Sequence, residues 1–292
     1  MTRFSAPASS ANLGPAFDCL GLALELRNEL ELVAGSGQLT ISGEGAATLP
    51  TDAGNLVARA FDSVAPGARE RYDLLCTNRI PLARGLGSST SAAALGLMAG
   101  WTVGDVDWDQ DKLFDALRQL DGHADNAAAC VYGGFVLAAT TVDGTVEPLV
   151  LGAADWLAPL LVIPNHEVAT ADARAALPAS YSREEVVAAL GGMAMLMTGL
   201  IGGDPDLLAD ALHTDVLHEQ QRGHLVPELA DVRACLHSTK ALGATLSGAG
   251  PSVLVWCRPE DREQALGSLS IDFPEPEVVA LEIATVGARI ED

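Results

Sequence analysis

The residues best suited to chemistry lie between positions 79 and 99, where the chain reads Arg-Ile-Pro-Leu-Ala-Arg-Gly-Leu-Gly-Ser-Ser-Thr-Ser-Ala-Ala-Ala-Leu-Gly-Leu-Met-Ala. A proline-opened loop carries Gly85 and Gly87, then Ser88, Ser89, Thr90 and Ser91, and runs straight into an alanine-rich segment with strong helix propensity. At the start of such a helix the first backbone N–H groups lack partners and the helix dipole is positive, so an anion is favoured there. Glycines let the backbone approach that anion, and hydroxyls add hydrogen bonds or reach a metal. The loop is not a Walker loop, which needs a lysine, and a third dinucleotide-type glycine would fall on Thr90. A serine-capped helix after a glycine turn satisfies the same pattern, so spacing alone leaves phosphate binding and simple capping both open.

Other stretches concentrate polar types. Asp121, His123, Asp125 and Asn126 fall within six positions before a small-residue helix. They read either as a cap or as a site with a metal-binding carboxylate and substrate-facing groups. Asn12, Gly14, Pro15 and Asp18 form a long polar loop, predicted over residues 8–19, between strands. Thr170 and Arg174 lie just beyond a predicted strand. Leu208, Ala211, Asp215, His218 and Arg222 recur at three- and four-residue intervals, which predicts one face of a helix over 206–222 that turns polar at its end. His213, His218 and His224 are spaced five and six apart and do not share a helical face, which disfavours a metal triad. Gly248 and Gly250 interrupt a strand–loop–strand pattern over 241–257, as a tight hairpin or a ligand-approaching loop requires.

Strands are predicted at 3–7, 22–34, 37–42, 71–78, 133–140, 145–150, 159–164 and 277–286, and helices at 55–64, 88–102, 108–120, 183–201, 206–222 and 259–268. The 292 residues suffice for one large domain or two of about 150. The stretch from Pro148 to Ala158 is the candidate boundary, dividing the chain into 1–150 and 151–292. Hydrophobic residues make up 49%, which argues against disorder. Apolar runs broken by Gly, Pro or charge well before about 18 residues predict no membrane span. No signal-peptide core stands at the N-terminus, so a cytoplasmic protein is expected. A net charge of −22 excludes nucleic-acid binding through a basic surface. With only 17 basic residues, each arginine near a candidate anion site gains weight. The five cysteines are scattered without zinc or disulfide spacing.

Three separated stretches, Ala8 to Gly21, Pro81 to Ser91 and Leu246 to Val253, resemble the three motifs of the galactokinase, homoserine kinase, mevalonate kinase and phosphomevalonate kinase (GHMP) superfamily. The resemblance is closest to its homoserine kinase family, on Ser-Ser-Ala-Asn-Leu-Gly-Pro-x-Phe-Asp-x-Leu-Gly at 9–21, Leu-Pro-Thr-Asp-x-x-Asn-Leu-Val at 49–57 and Gly-His-x-Asp-Asn at 122–126. Thr170-x3-Arg174 and Asp215-x2-His218-x3-Arg222 extend it along nearly the whole chain.

The resemblance implies an α+β, two-domain GHMP-kinase fold. Its N-terminal nucleotide domain would be ribosomal-protein-S5-like, its C-terminal domain ferredoxin-like, with the active site between them. It implies Mg-ATP as donor, the side-chain hydroxyl of L-homoserine as acceptor in threonine biosynthesis, and a homodimer. Carried over by position, the loop from Pro81 through Arg84, Gly85, Leu86, Gly87, Ser88, Ser89 and Thr90 would hold the triphosphate, with Asn55 near the adenine. Ser89 and Asp121 would bind Mg2+. Asn12, Asp18, His123, Asn126, Arg174, Arg222 and Gly248 would hold the amino acid, and Thr170 would lie beside the reacting groups. Asparagine cannot act as a base, so Asn126 implies transfer by positioning and electrostatics alone. The chain departs from the family at Asp121, Ala16, Glu219 and the Ala127–Cys130 run. These changes leave open a kinase for another small hydroxy amino acid, and the motifs alone leave open a non-catalytic relative.

Overall fold

The computed structural model describes residues 1–291, without the side chain of Asp121. The chain opens with β1 (Thr2–Ala11), β2 (Leu20–Ala34) and β3 (Leu39–Gly43), followed by α1 (Leu56–Val64), β4 (Tyr72–Asn78) and α2 (Ser88–Val103). Then come α3 (Gln110–Asp121), α4 (Ala124–Tyr132), β5 (Phe135–Thr140) and β6 (Val146–Gly152). The remainder comprises β7 (Leu160–Ile163), α5 (Thr170–Ala175), α6 (Arg183–Gly202), α7 (Pro205–Ala211), α8 (Glu219–Arg222) and α9 (Glu228–Cys235). It closes with β8 (Gly243–Leu246), β9 (Val253–Trp256), α10 (Arg262–Asp272), β10 (Glu277–Ala280) and β11 (Arg289–Glu291).

Among the described residues the strands form two sheets. The long β2 organises the first. One of its edges pairs with β1 along most of its length, while the other pairs with β5 over Leu20–Leu22 and with β4 over Glu29–Ala34. β3 joins β4 in parallel, β6 extends β5, and β11 returns to pair with β1. The second sheet runs β10-β7-β9-β8 and is antiparallel throughout. Helices α1 to α4 cover the first sheet, and α2 is buried on nearly all sides, so its alanines and glycines permit close packing. A second core joins the sheets: Leu22 and Phe135 from the first meet Leu161, Leu254 and Trp256 from the second, with Phe135 stacked on Trp256 at 5.9 Å.

Several expectations change. β1 continues through Ala11, so the loop begins at Asn12 rather than Ala8, because Ala8, Ser9 and Ser10 are small enough to be buried against β2. The helix predicted over 206–222 is two helices. Thr214 Oγ1 donates to the Ala211 carbonyl at 2.7 Å, and the Asp215 carboxylate accepts from the backbone N–H groups of Leu217, His218 and Glu219. Those side chains satisfy backbone groups that a continuous helix would have used. The strand predicted at 277–286 is only β10, while α5, α9 and β11 were too short or too weakly periodic to read.

α6 also departs from expectation, since it is long and apolar enough to cross a membrane by length and composition. Glycines, here Gly191 and Gly192, count as breaks in the expected apolar runs, yet glycine merely weakens a helix that packs on one side. Here Leu196 and Leu200 face the core, whereas Val187, Leu190 and Ile201 face outward.

Besides the pairing of β11 with β1, a buried side chain ties down the C-terminal segment. Arg27 Nη1 donates to Ser5 Oγ at 3.2 Å and to the Gly287 carbonyl at 3.1 Å, and Nη2 donates to the Val286 carbonyl. Arg27→Met keeps the stem but orphans both carbonyls. It is expected to lower unfolding free energy by about 2–3 kcal/mol in urea titrations monitored by circular dichroism.

Candidate active site

The glycine–serine loop meets α2 as an open helix end. The residue preceding α2 is Gly87, at φ +65° and without a side chain to cap the helix. A Cβ there would stand 2.0 Å from Ser9 Oγ, so both dihedral and space demand glycine. Simple serine capping is thereby excluded, because Ser88 and Ser89 are the first helical residues, and both line a cavity of ≈ 450 Å³ between the sheets. The start of α2, with its backbone N–H groups and the positive end of its dipole, thus stands at the cavity wall, an arrangement that suits an anion.

The other half of the chain shapes this loop. Ser247 Oγ donates to the Gly85 carbonyl at 2.8 Å, Ser252 N to Arg84 O at 3.3 Å and Val168 N to Ala83 O at 3.3 Å. Arg84 donates to the carbonyls of Pro164 (2.8 Å) and Asn165 (2.7 Å), so its guanidinium holds the loop to the segment after β7. Pro81, Leu86 and Thr90 complete this side of the cavity.

Ile41, Leu49, Leu56 and Val57 give the cavity an apolar part suited to a flat ring. Asn55 lines it as well, but its side chain accepts from Val57 N at 2.9 Å and donates to Pro50 O at 2.8 Å, capping α1.

The charged part is built from four elements. Asn12 spans the loop after β1, accepting from Asp18 N at 3.0 Å and donating to the Gly248 carbonyl at 2.8 Å. Asp18 and Arg174 form a two-pronged ion pair with both contacts at 2.8 Å. Arg174 Nη2 also lies 3.3 Å from His123 Nδ1, which must be the acceptor because a guanidinium only donates. Arg222 is buried, donating from Nε to Ala173 O at 3.1 Å and from Nη1 to Gly248 O at 3.2 Å. Nη1 also faces His218 Nδ1 at 3.2 Å. By the same logic His218 carries its proton on Nε2, which donates to Gly14 O at 2.9 Å. His218 is thus a buried, neutral prop for Arg222 rather than a metal ligand. Burial, then the nearby Arg174, pulls the Arg222 guanidinium below its ordinary pKa.

Asn126 Oδ1 accepts from Ser9 Oγ at 2.8 Å, which turns its amide N–H groups toward the cavity. Beside it lies Asp125, which its place in the 121–126 cluster predicts as a cap or a site residue. Its carboxylate lines the cavity, accepts from Asn126 N at 2.8 Å, and is pushed up to about 6, chiefly by burial and further by Asp18. Phe17, between the two arginines, has no role assigned from the sequence. Phe17 and Asp125 stand inside the motifs at 9–21 and 122–126, which is the sequence signal they carry.

Thr170, Arg174, Arg222, Asn12, Asp18, His123 and Gly248 all reach the same cavity as the phosphate loop. Asp121, expected at the metal, lies outside the described side chains. Glu219, a departure that raised the prospect of a changed acceptor, faces away: it accepts from Leu246 N at 2.8 Å and from Arg233 Nη2 at 2.5 Å.

Comparison with known proteins agrees along the whole chain. Residues 55–134 match the GHMP kinases N terminal domain and 196–275 the GHMP kinases C terminal domain. A homoserine kinase of Streptomyces avermitilis is 39% identical over 86% of this chain and 84% of its own. One from Leuconostoc mesenteroides is 34% identical over 99% of both. The crystal structure of homoserine kinase from Cytophaga hutchinsonii superposes with a TM-score of 0.87 at 26% identity, covering 99% of this chain and 97% of that one.

Because Glu219 binds the backbone of β8 and an arginine, truncation and conservative replacement should differ. Glu219→Ala, which strands Arg233 and Leu246 N, is expected to cost about 3–5 kcal/mol in chemical denaturation, and Glu219→Gln, which can keep the Leu246 bond, clearly less.

Proposed function

The chain belongs to the homoserine kinases of the GHMP kinase family, and on that premise we propose that it transfers the γ-phosphoryl group of ATP to the side-chain hydroxyl of L-homoserine, a step of amino-acid biosynthesis. One observation carries the acceptor assignment: two guanidiniums and a carboxylate converge across the cavity from an open helix N-terminus. An α-amino acid presents the complementary pair of charges. Its carboxylate takes Arg222 and Arg174, and its ammonium takes Asp18, exchanging the existing ion pair for two new ones.

The apolar part of the cavity takes the adenine, and the first-turn N–H groups of α2, with the Ser88 and Ser89 hydroxyls, take the phosphates. Mg2+ fits the donor set, since Ser89 offers a hard oxygen at the helix start and the family pattern adds Asp121. When bound, the ion neutralises phosphate charge.

The hydroxyl oxygen attacks the γ-phosphorus, the bond to the ADP oxygen breaks, and the hydroxyl proton passes to Asp125. Asn126 donates to the transferring group from an amide fixed by Ser9, and Thr170 stands at the rim. Asp125 supplies the acceptor that Asn126 cannot be, so transfer combines positioning with a weak carboxylate base.

The reading is tested by ADP release over a panel of hydroxy amino acids and hydroxy acids: L-homoserine should give the largest kcat/KM, and a larger value for another acceptor would overturn it. Arg222→Ala should raise KM for the amino acid about 30-fold or more, equivalent to about 2 kcal/mol, with ATP binding retained in calorimetry.

Asp125 ties activity to pH. Its pKa in the fold, about 6, lies above the ordinary 3.8, so the folded protein holds a proton that the unfolded chain releases between those values. The burial cost is therefore absent below about pH 4 and complete above about pH 6, whereas the active carboxylate exists only above about 6. The kcat profile should fall below pH 6. Asp125→Asn should abolish that limb with a large loss of kcat, while raising unfolding free energy at pH 7.5 by up to about 3 kcal/mol.

A further inference from the structure

Phe17 immediately precedes Asp18 but does not line the cavity. The Cζ of Arg174 lies 5.6 Å from its ring centroid and that of Arg222 5.4 Å, while the ring stacks on the His218 imidazole at 5.0 Å with an interplanar angle of 24°. One aromatic ring thus touches both guanidiniums and the histidine that props one of them.

That arrangement answers an electrostatic difficulty. Two like charges share a partly dehydrated pocket, and each disfavours the other. In the structure Arg174 is compensated by Asp18, whereas among the described residues Arg222 donates to neutral groups, the Ala173 and Gly248 carbonyls and the His218 ring, and feels the Asp18 and Asp215 carboxylates at longer range. When a substrate ammonium engages Asp18, both arginines give up part of that compensation. The negative π face of Phe17 is a compensating element in contact with both guanidiniums that no ligand displaces.

We propose that Phe17 is a positioning residue that holds Arg174 and Arg222 together as one carboxylate-binding fork, and so makes the enzyme select acceptors bearing an α-carboxylate. This deepens the assignment of the arginines to the substrate carboxylate and rests on it. Asp18 follows Phe17 directly, so a single loop sets the ammonium partner and the carboxylate fork in fixed relation.

The test uses the full-length enzyme with Phe17→Leu, Phe17→Met and Phe17→Tyr, assayed with L-homoserine and with the amino diol in which its carboxylate is reduced to an alcohol. Phe17→Leu and Phe17→Met should raise KM for L-homoserine about 10- to 30-fold, with kcat and KM for ATP within about threefold, as expected for two weakened cation–π contacts. Phe17→Tyr, which keeps the ring, should restore KM to within about threefold of the wild type. The amino diol should show the same kcat/KM in all four enzymes, so preference for the carboxylate collapses only where the ring is lost. Adding Phe17→Leu to Arg222→Ala should raise KM by less than about half its single-variant factor, because the ring acts through the arginine. Equal losses on both acceptors, or a parallel rise in KM for ATP, would reduce Phe17 to a general structural role. Unchanged KM for L-homoserine in Phe17→Met would remove the ring's influence altogether. If the wild type instead prefers another carboxylate-bearing acceptor, the substrate reading fails, and the same ratio measured on that acceptor decides the role of Phe17.

Discussion

The carbonyl oxygen of Gly248 accepts from Asn12 Nδ2 at 2.8 Å and from Arg222 Nη1 at 3.2 Å, while the Gly248 N–H donates to Ala11 O at 3.0 Å. One peptide in the loop between β8 and β9 thereby fixes the end of β1, the loop carrying Asp18 and the buried arginine. Its neighbour Ser247 grips Gly85 in the phosphate loop. Neither sheet holds a complete site. The cavity takes the start of α2 from one half of the chain and Arg174 and Arg222 from the other, and this glycine loop holds them in register. A Cβ on Gly85 would lie 2.1 Å from Ser247 O, so the closeness of the two loops is itself a reason for glycine.

The charge distribution follows from that geometry. A chain with net charge −22 repels ATP and carboxylates at long range, and it has no lysine in the loop proposed to take the phosphates. Attraction must be local. Backbone N–H groups at the start of α2 supply partial positive charge without a titrating side chain, and the two cavity-lining arginines closest to the proposed carboxylate position are both tied to other protein groups. His218 shows how firmly. Arg222 donates to its Nδ1, so Nε2 must carry the proton, and Nε2–H finds Gly14 O rather than the Asp215 carboxylate 3.8 Å away. Asp215 instead spends its oxygens on starting α8.

The sequence was most readable where a residue's type is dictated by local backbone geometry. Gly87, Ser89, Asn12 and Gly248 stand in motifs because an open helix end or a left-handed turn admits few alternatives. β2, β4 and α1 to α3 lie close to their expected spans, since period and propensity agree there. Legibility ended where side-chain contacts, local or long-range, override the periodic pattern. The residues of 206–222 have helical spacing and are buried together, but the Asp215 and Thr214 side chains divide the helix. Glu219 stands out as a departure from the family pattern that could change the acceptor, yet its carboxylate turns to β8 and Arg233. Asp125 could be told from an ordinary helix-capping aspartate only by knowing that its carboxylate is buried beside a cavity.

The Asp18–Arg174 pair shows why the site can be both ordered and receptive. Both side chains are about two-fifths exposed, so their mutual attraction is screened and the pair contributes little to folding. What it supplies is orientation. A zwitterion entering the cavity offers each member a partner of the opposite sign, and the exchange leaves the number of ion pairs undiminished while desolvating the substrate against prearranged groups. Arg222, anchored through Nε and Nη1 and backed by Phe17, need not move. An acceptor without the carboxylate can still engage Asp18, but it leaves Arg174 without a new partner for the carboxylate it gives up. Discrimination therefore arises from the unpaired cation as much as from the bond formed.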